Sequence, residues 1–225
     1  MGAVGKADPM VAAKIRAVFE QRCVEMLQWA CVTLKGEKHI NADWDEENIT
    51  ANLYELIRTS SLSVEYGIYL EYDHSFFGPE ILDNKKKANS AARVDLAFQY
   101  GWTGPRFWFF VEAKNLIERD VQKTGRKTKM RAATVIERYI ETGIDHYLNK
   151  HYPLGCLLGY VLNGTIDSVV KAINMRLAKK MRNSETLSLP LGTLPWMVSQ
   201  SRHTDKANQE VQIVHYLFDF GSRVN

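Results

Sequence analysis

Two acids and a lysine stand where apolar side chains would pack at lower cost. In "RVDLAFQYGWTGPRFWFFVEAKNL", residues 93–116, two apolar runs flank a turn containing Gly and Pro; the first carries Asp95 and the second Glu112 and Lys114. Side chains alternate along a strand. Val94, Leu96, Phe98 and Tyr100 are therefore expected on one face of the first run, with Asp95, Ala97 and Gln99 on the other. In the second run Trp108, Phe110, Glu112 and Lys114 share a face. If Tyr100 pairs with Phe107 across a six-residue turn, Asp95 falls opposite Glu112. A register slipped by one would put Val111 there instead. Directly opposed acids repel, with Cβ atoms roughly 5 Å apart, so the first register demands a positive charge between them.

A divalent cation meets that demand. Hard carboxylate oxygens on rigid strands, with room for water and a phosphate oxygen, are the ligands magnesium takes, and manganese is the alternative. Lys114, one pleat from Glu112, could align or deprotonate an attacking water or stabilise charge on phosphorus. The chemistry this spacing points to is metal-assisted hydrolysis of a phosphodiester.

Asp95, sixteen intervening residues, then Glu112-Ala113-Lys114 on consecutive hairpin strands resembles the PD-(D/E)xK nuclease superfamily of restriction, repair and phage-defence enzymes. The resemblance implies a restriction-endonuclease-like fold. It also implies Asp95, Glu112 and the Ala113 carbonyl as metal ligands, Lys114 as the catalytic lysine, and an acid on a preceding helix. For that acid Glu55 is preferred, with Glu47 the alternative. Val94 stands where the family pattern has Pro. The runs "IERYIETGIDHYLNKHYPLGCLLGYVLNG" and "IVHYLFDF" also resemble segments of bacterial anti-phage defence members.

The elements that must position these groups can be read from hydrophobic period. Residues 9–35 open on Pro9 and keep helical spacing; "ITANLYELI" continues a second helix that Asp45 or Asn48 can cap. "VEYGIYLEYDHSFFG" is rich in aromatic and β-branched residues and predicts a strand. Residues 80–92 read as a polar loop. After the hairpin, residues 130–149 predict an amphipathic helix, "LGCLLGYVLNG" a buried strand, "TIDSVVKAINMRLAKKM" a helix, and "VQIVHYLFDF" a closing strand. That order predicts an α/β protein with a central mixed sheet flanked by helices. It reads as a single domain over 1–225, with a helical extension at 1–44, a catalytic core at 45–165 and sheet-completing elements at 166–225.

The 225 residues carry a net charge of +3 and 45% hydrophobic content, enough for a real core and too mildly basic to decide on a polyanion. Local charge is more telling: Lys123, Arg126, Lys127, Lys129 and Arg131 follow the proposed lysine closely and suit backbone phosphates. Gly125 among them would let the segment move and order on nucleic acid. Cys23, Cys31 and Cys156 show no ligand spacing and read as free thiols. With no apolar leader and no membrane-length apolar run, a cytoplasmic protein is expected. His203 and His215 are not read as a nucleophilic pair with a serine, since there is no GxSxG elbow.

The expectation is a magnesium-dependent DNase serving a defence or restriction system. A lone nuclease endangers its host, so a controlling helicase, ATPase or sensor subunit is expected beside DNA. The alternatives are an RNase, or a non-catalytic nucleic-acid-binding or scaffold subunit.

Overall fold

The structure is a computed structural model and describes residues 8–101, 106–149, 153 and 155–221. The turn at 102–105 and the N-terminal stretch read for a leader at 1–7 lie outside the described residues. In chain order the elements are α1 (Pro9–Glu37), α2 (Glu46–Thr59), α3 (Ser61–Tyr66), β1 (Ile68–Phe76), α4 (Pro79–Leu82), β2 (Ala92–Tyr100) and β3 (Phe107–Ile117). There follow β4 (Val121–Gln122), β5 (Lys129–Met130), α5 (Ala132–Arg138), a π-helical turn at Tyr139–Ile144, α6 (Asp145–Leu148), β6 (Cys156–Asn163), α7 (Ile166–Lys179), β7 (Leu191–Thr193), β8 (Trp196–Thr204) and β9 (Glu210–Asp219).

Helix starts follow the local chemistry. Asp8 accepts from the Met10 amide with Pro9 at the first helical position, and Thr165 accepts from Ser168 at the start of α7. Residues 64–66, expected in the first strand, instead finish α3, which ends at Gly67 in the left-handed region at φ +62°.

Seven strands form one mixed sheet in the order β1-β2-β3-β6-β9-β8-β7. β3, β6 and β9 run parallel; the remaining pairs are antiparallel. The expected α/β arrangement, a central mixed sheet flanked by helices, is what the chain adopts. α1 and α2 cover one face, burying Phe19, Met26, Leu27, Leu34, Ile49, Leu53 and Ile57 against Leu96, Phe98, Val111 and Leu158. The other face packs on α5, the π turn and α7 through Ile136, Tyr139, Ile140, Val169 and Ile173. The middle strand β6 is buried along nearly its whole length, as a parallel strand covered on both faces must be.

Two features of this sheet shape the site. First, β3 changes partners midway. It pairs with β2 from Phe107 to Val111 and with β6 from Val111 to Ile117, so β2 and β3 diverge after Leu96–Val111. Second, the strand alternation read for β2 fails at Asp95. Leu96 and Phe98 pack under α1 and α2, but Val94 lies in the opposite core layer with Ala97 and Phe110. Between the Tyr72–Leu96 and His74–Val94 pairs sit Asp95 and Asp73, the latter at φ +50°, uncommon for a residue with a side chain. The distortion there shifts the facing of everything beyond it.

Candidate active site

Where β2 leaves β3, the β3 backbone loses its ladder partner, and its polar groups must bond elsewhere. Side chains take over. Asp95 Oδ2 accepts from the Ala113 amide at 2.7 Å, and Glu46 Oε2 accepts from the Asn115 amide at 2.8 Å. Lys114 Nζ donates to the Ala113 carbonyl at 2.8 Å. Three charged groups thus cap the open strand edge and are brought together by doing so.

The register places Tyr100 opposite Phe107 and ends at the Leu96–Val111 pair, so Asp95 and Glu112 come next in their strands where the two part. The positive charge between the acids is Lys114 itself. Its Nζ lies 2.6 Å from Glu112 Oε1 and 3.3 Å from Glu46 Oε1. Glu112 is 7% and Lys114 6% exposed, so this ion pair is formed largely out of water.

Burial pushes the Glu112 carboxyl up to about 7 and Asp95 to about 6, although Lys114 pulls both down; Asp95 and Glu46 also raise Glu112, and Glu46 and Asp73 raise Asp95. Burial also works to lower the Lys114 pKa. The pull of Glu112, Glu46 and Asp95 outweighs it and holds the ammonium above its ordinary value. Three carboxylates share one ammonium; burial is the main reason that Asp95 and Glu112 take up protons readily, and the neighbouring acids add to it.

The α2 acid that joins this cluster is Glu46; Glu55 and Glu47, expected from the sequence, lie away from it. Glu55 is exposed and bonds to Arg58 at 2.7 Å, while Glu47 stands exposed at the cleft rim. Glu46 begins α2 and shares the buried face at helical spacing with Thr50, Leu53 and Ile57. That spacing was the available signal: Glu55 stands two positions past Leu53, on the opposite side. Thr50 fixes the turn, donating to the Glu46 carbonyl at 2.9 Å and accepting from the Tyr160 hydroxyl of β6 at 3.0 Å.

A cleft of about 560 Å³ opens beside Lys114 and Glu46. Its cationic wall is Lys123, Arg126, Lys129 and Arg131, joined by Arg138 of α5, which the sequence reading missed. Lys127 is exposed on the same hairpin but does not line the cleft. Two of these already have partners within the chain. Lys123 is buried and donates to the Trp44 carbonyl at 3.2 Å and Asp45 at 2.9 Å, and Arg126 bonds to Asp45 at 2.8 Å. Asp45 sits at the α2 N-cap position but spends its carboxylate on these cations. Thr124 donates to Asp43 from both amide and hydroxyl, each at 2.7 Å. The 121–130 hairpin, expected to be loose around Gly125, is therefore pinned to the segment before α2.

The donor set for a hard cation is Asp95, Glu112, Glu46 and the Ala113 carbonyl, all oxygen. The next residue, Asn115, whose amide donates to Glu46, has its side-chain oxygen buried without a hydrogen-bond partner. The surplus negative charge and this orphaned oxygen fit a divalent ion. The side chains are held by Lys114, however, and among the described residues no three His, Cys, Asp or Glu side chains are gathered as a metal cluster.

His203 and His215 belong to a separate network. Tyr139 OH meets His215 Nδ1 at 2.7 Å, His215 Nε2 meets Ser201 Oγ at 2.7 Å, Ser201 Oγ meets His203 Nε2 at 2.5 Å, and His203 Nδ1 meets Glu185 at 2.5 Å. Ser201 and His203 are 2% and 3% exposed, which denies a substrate access to a Ser–His–Glu arrangement. Burial holds His215 at about 3, so its ring is neutral, and this chain of hydrogen bonds ties β8 and β9 to the π turn.

No family model matches this chain, and neither a curated protein nor a solved structure matches it.

Proposed function

We propose that the chain is a divalent-metal-dependent nuclease acting on DNA, of the PD-(D/E)xK type and restriction-endonuclease-like fold that its hairpin motif resembles. The observation that carries this reading is the convergence of Asp95, Glu112, Lys114 and Glu46 on one open strand edge at the mouth of a cationic cleft. A magnesium ion held by Asp95, Glu112 and the Ala113 carbonyl would activate water and stabilise charge on the scissile phosphate. Lys114 keeps its proton and supplies positive charge beside Glu112. Glu46 steers that ammonium, and Arg131 and Arg138 hold the phosphate backbone along the cleft wall.

A second reading draws on one observation, that Lys114 already neutralises the acids. It is a nucleic-acid-binding module whose ion cluster is structural, working in a complex whose partner does the chemistry. Plasmid nicking by pure protein, with and without magnesium, separates the two. Metal-dependent cleavage that vanishes in Glu112→Gln and Asp95→Asn supports the nuclease, and cleavage that persists in both refutes it. A defence or restriction role under a helicase, ATPase or sensor subunit is part of the proposal. Its test is whether a neighbour-encoded protein copurifies and restrains cleavage.

A further inference from the structure

Along β3 the residues that share the face of Glu112 and Lys114 are Trp108 and Phe110, so aromatic surface begins one pleat, roughly 7 Å, from the acid. The distortion at Asp73 turns His74 and Phe76 toward them. The Trp108 and Phe110 rings lie 7° from parallel with centroids 5.8 Å apart; His74 is 5.1 Å from Trp108, and Phe76 meets Phe110 edge-on at 5.2 Å. Phe110 is itself buried, while Trp108, His74 and Phe76 stay partly exposed. A groove of about 500 Å³ runs over them, and Arg16 and Arg106 stand at its rim. The Arg16 guanidinium lies 5.5 Å from the Phe107 ring, and both arginines are solvent-exposed.

Partly exposed rings over a buried one, bordered by guanidinium groups, make a stacking platform with phosphate contacts, the combination that binds single-stranded nucleic acid. A duplex cannot use it, because its bases already stack on one another. We propose that this groove stacks the unpaired bases of single-stranded DNA and leads the strand toward Glu112. The inference deepens the nuclease reading and rests on it for the direction of the strand.

The test is fluorescence anisotropy in EDTA, where no metal-dependent cleavage occurs. Three labelled probes of twelve nucleotides are compared: oligo-dT, the same backbone with abasic sites, and a duplex. Oligo-dT is expected to bind at least tenfold tighter than either of the others. Trp108→Ala is expected to weaken oligo-dT five- to a hundredfold and leave the duplex unchanged, with Trp108→Phe retaining most of the affinity. The abasic comparison needs no variant, so misfolding of Trp108→Ala cannot mask the answer. Equal affinity for oligo-dT and the abasic strand overturns the groove, whatever the cleavage assays show. A preserved oligo-dT preference without magnesium-dependent cleavage of any substrate removes the nuclease reading and leaves the groove as a binding site.

Discussion

Lys114→Met tests the ion cluster directly, because methionine keeps most of the side-chain volume and removes only the charge and its hydrogen bonds. In the folded protein Glu112 titrates at about 7 and Asp95 at about 6 despite the pull of Lys114. Without it both rise further. An acid raised on folding contributes its stability in full below its unfolded value and loses it as pH rises through the folded value. For Glu112 that loss spans pH 4.5 to 7 and amounts to roughly 3 kcal/mol. In the variant the window extends higher and the loss is larger. Removing one partner of a buried pair costs about 3–5 kcal/mol when the other stays ionised. Lys114→Met should therefore destabilise by that amount at pH 8.5 and by about 1 kcal/mol or less at pH 5, where the acids are protonated. Urea unfolding followed by tryptophan fluorescence at both pH values reads the difference. A destabilisation equal at the two pH values, or larger at pH 5, would refute the assignment of Lys114 as counter-ion to buried acids.

Glu46→Gln should abolish cleavage while Glu55→Gln leaves it unchanged, read as nicked plasmid at fixed enzyme. If magnesium competes with protons for Asp95 and Glu112, the metal-induced rise in melting temperature should grow from pH 5.5 to 8 and be absent in Glu112→Gln; a pH-independent rise in both proteins would count against the site. Asp45→Ala frees Lys123 and Arg126 and should speed tryptic cutting within 121–130 several-fold, measured by mass spectrometry of early fragments. Ser201→Ala strands the Nε2 atoms of His203 and His215 and should cost about 1–3 kcal/mol in urea unfolding, with cleavage per folded molecule unchanged.

The layering of the fold was legible because periodicity reports which face is buried: Ile49, Leu53 and Ile57 on α2 and the unbroken apolar run of β6 declare their surroundings locally. The hairpin register was only half legible, since alternation allows both the Tyr100–Phe107 pairing and a slip by one, and the chain adopts the first. The facing of Val94 was illegible. It depends on a left-handed Asp73 in the neighbouring strand, and nothing in the local pattern around Val94 encodes that. The spent charges of the 121–130 hairpin were illegible too, because their partners Asp43 and Asp45 lie about eighty positions earlier.

Two features of the charge pattern stayed hidden for one reason. A sequence shows how many charges a segment carries but not which are already matched, and both Lys114 and Lys123 turn out to be matched by acids at the start of α2. The segment 43–46 thus does two jobs: Asp43 and Asp45 hold the cationic hairpin, and Glu46 holds the lysine between the hairpin acids. A polyanion entering the cleft would compete with Asp45 for Arg126, the more exposed of its two cations. Binding should therefore loosen the segment that carries Glu46 and, through it, the hold on Lys114. Salt would weaken DNA binding and the Asp45–Arg126 pair together, so a wild-type salt slope shallower than that of Asp45→Asn would report this exchange.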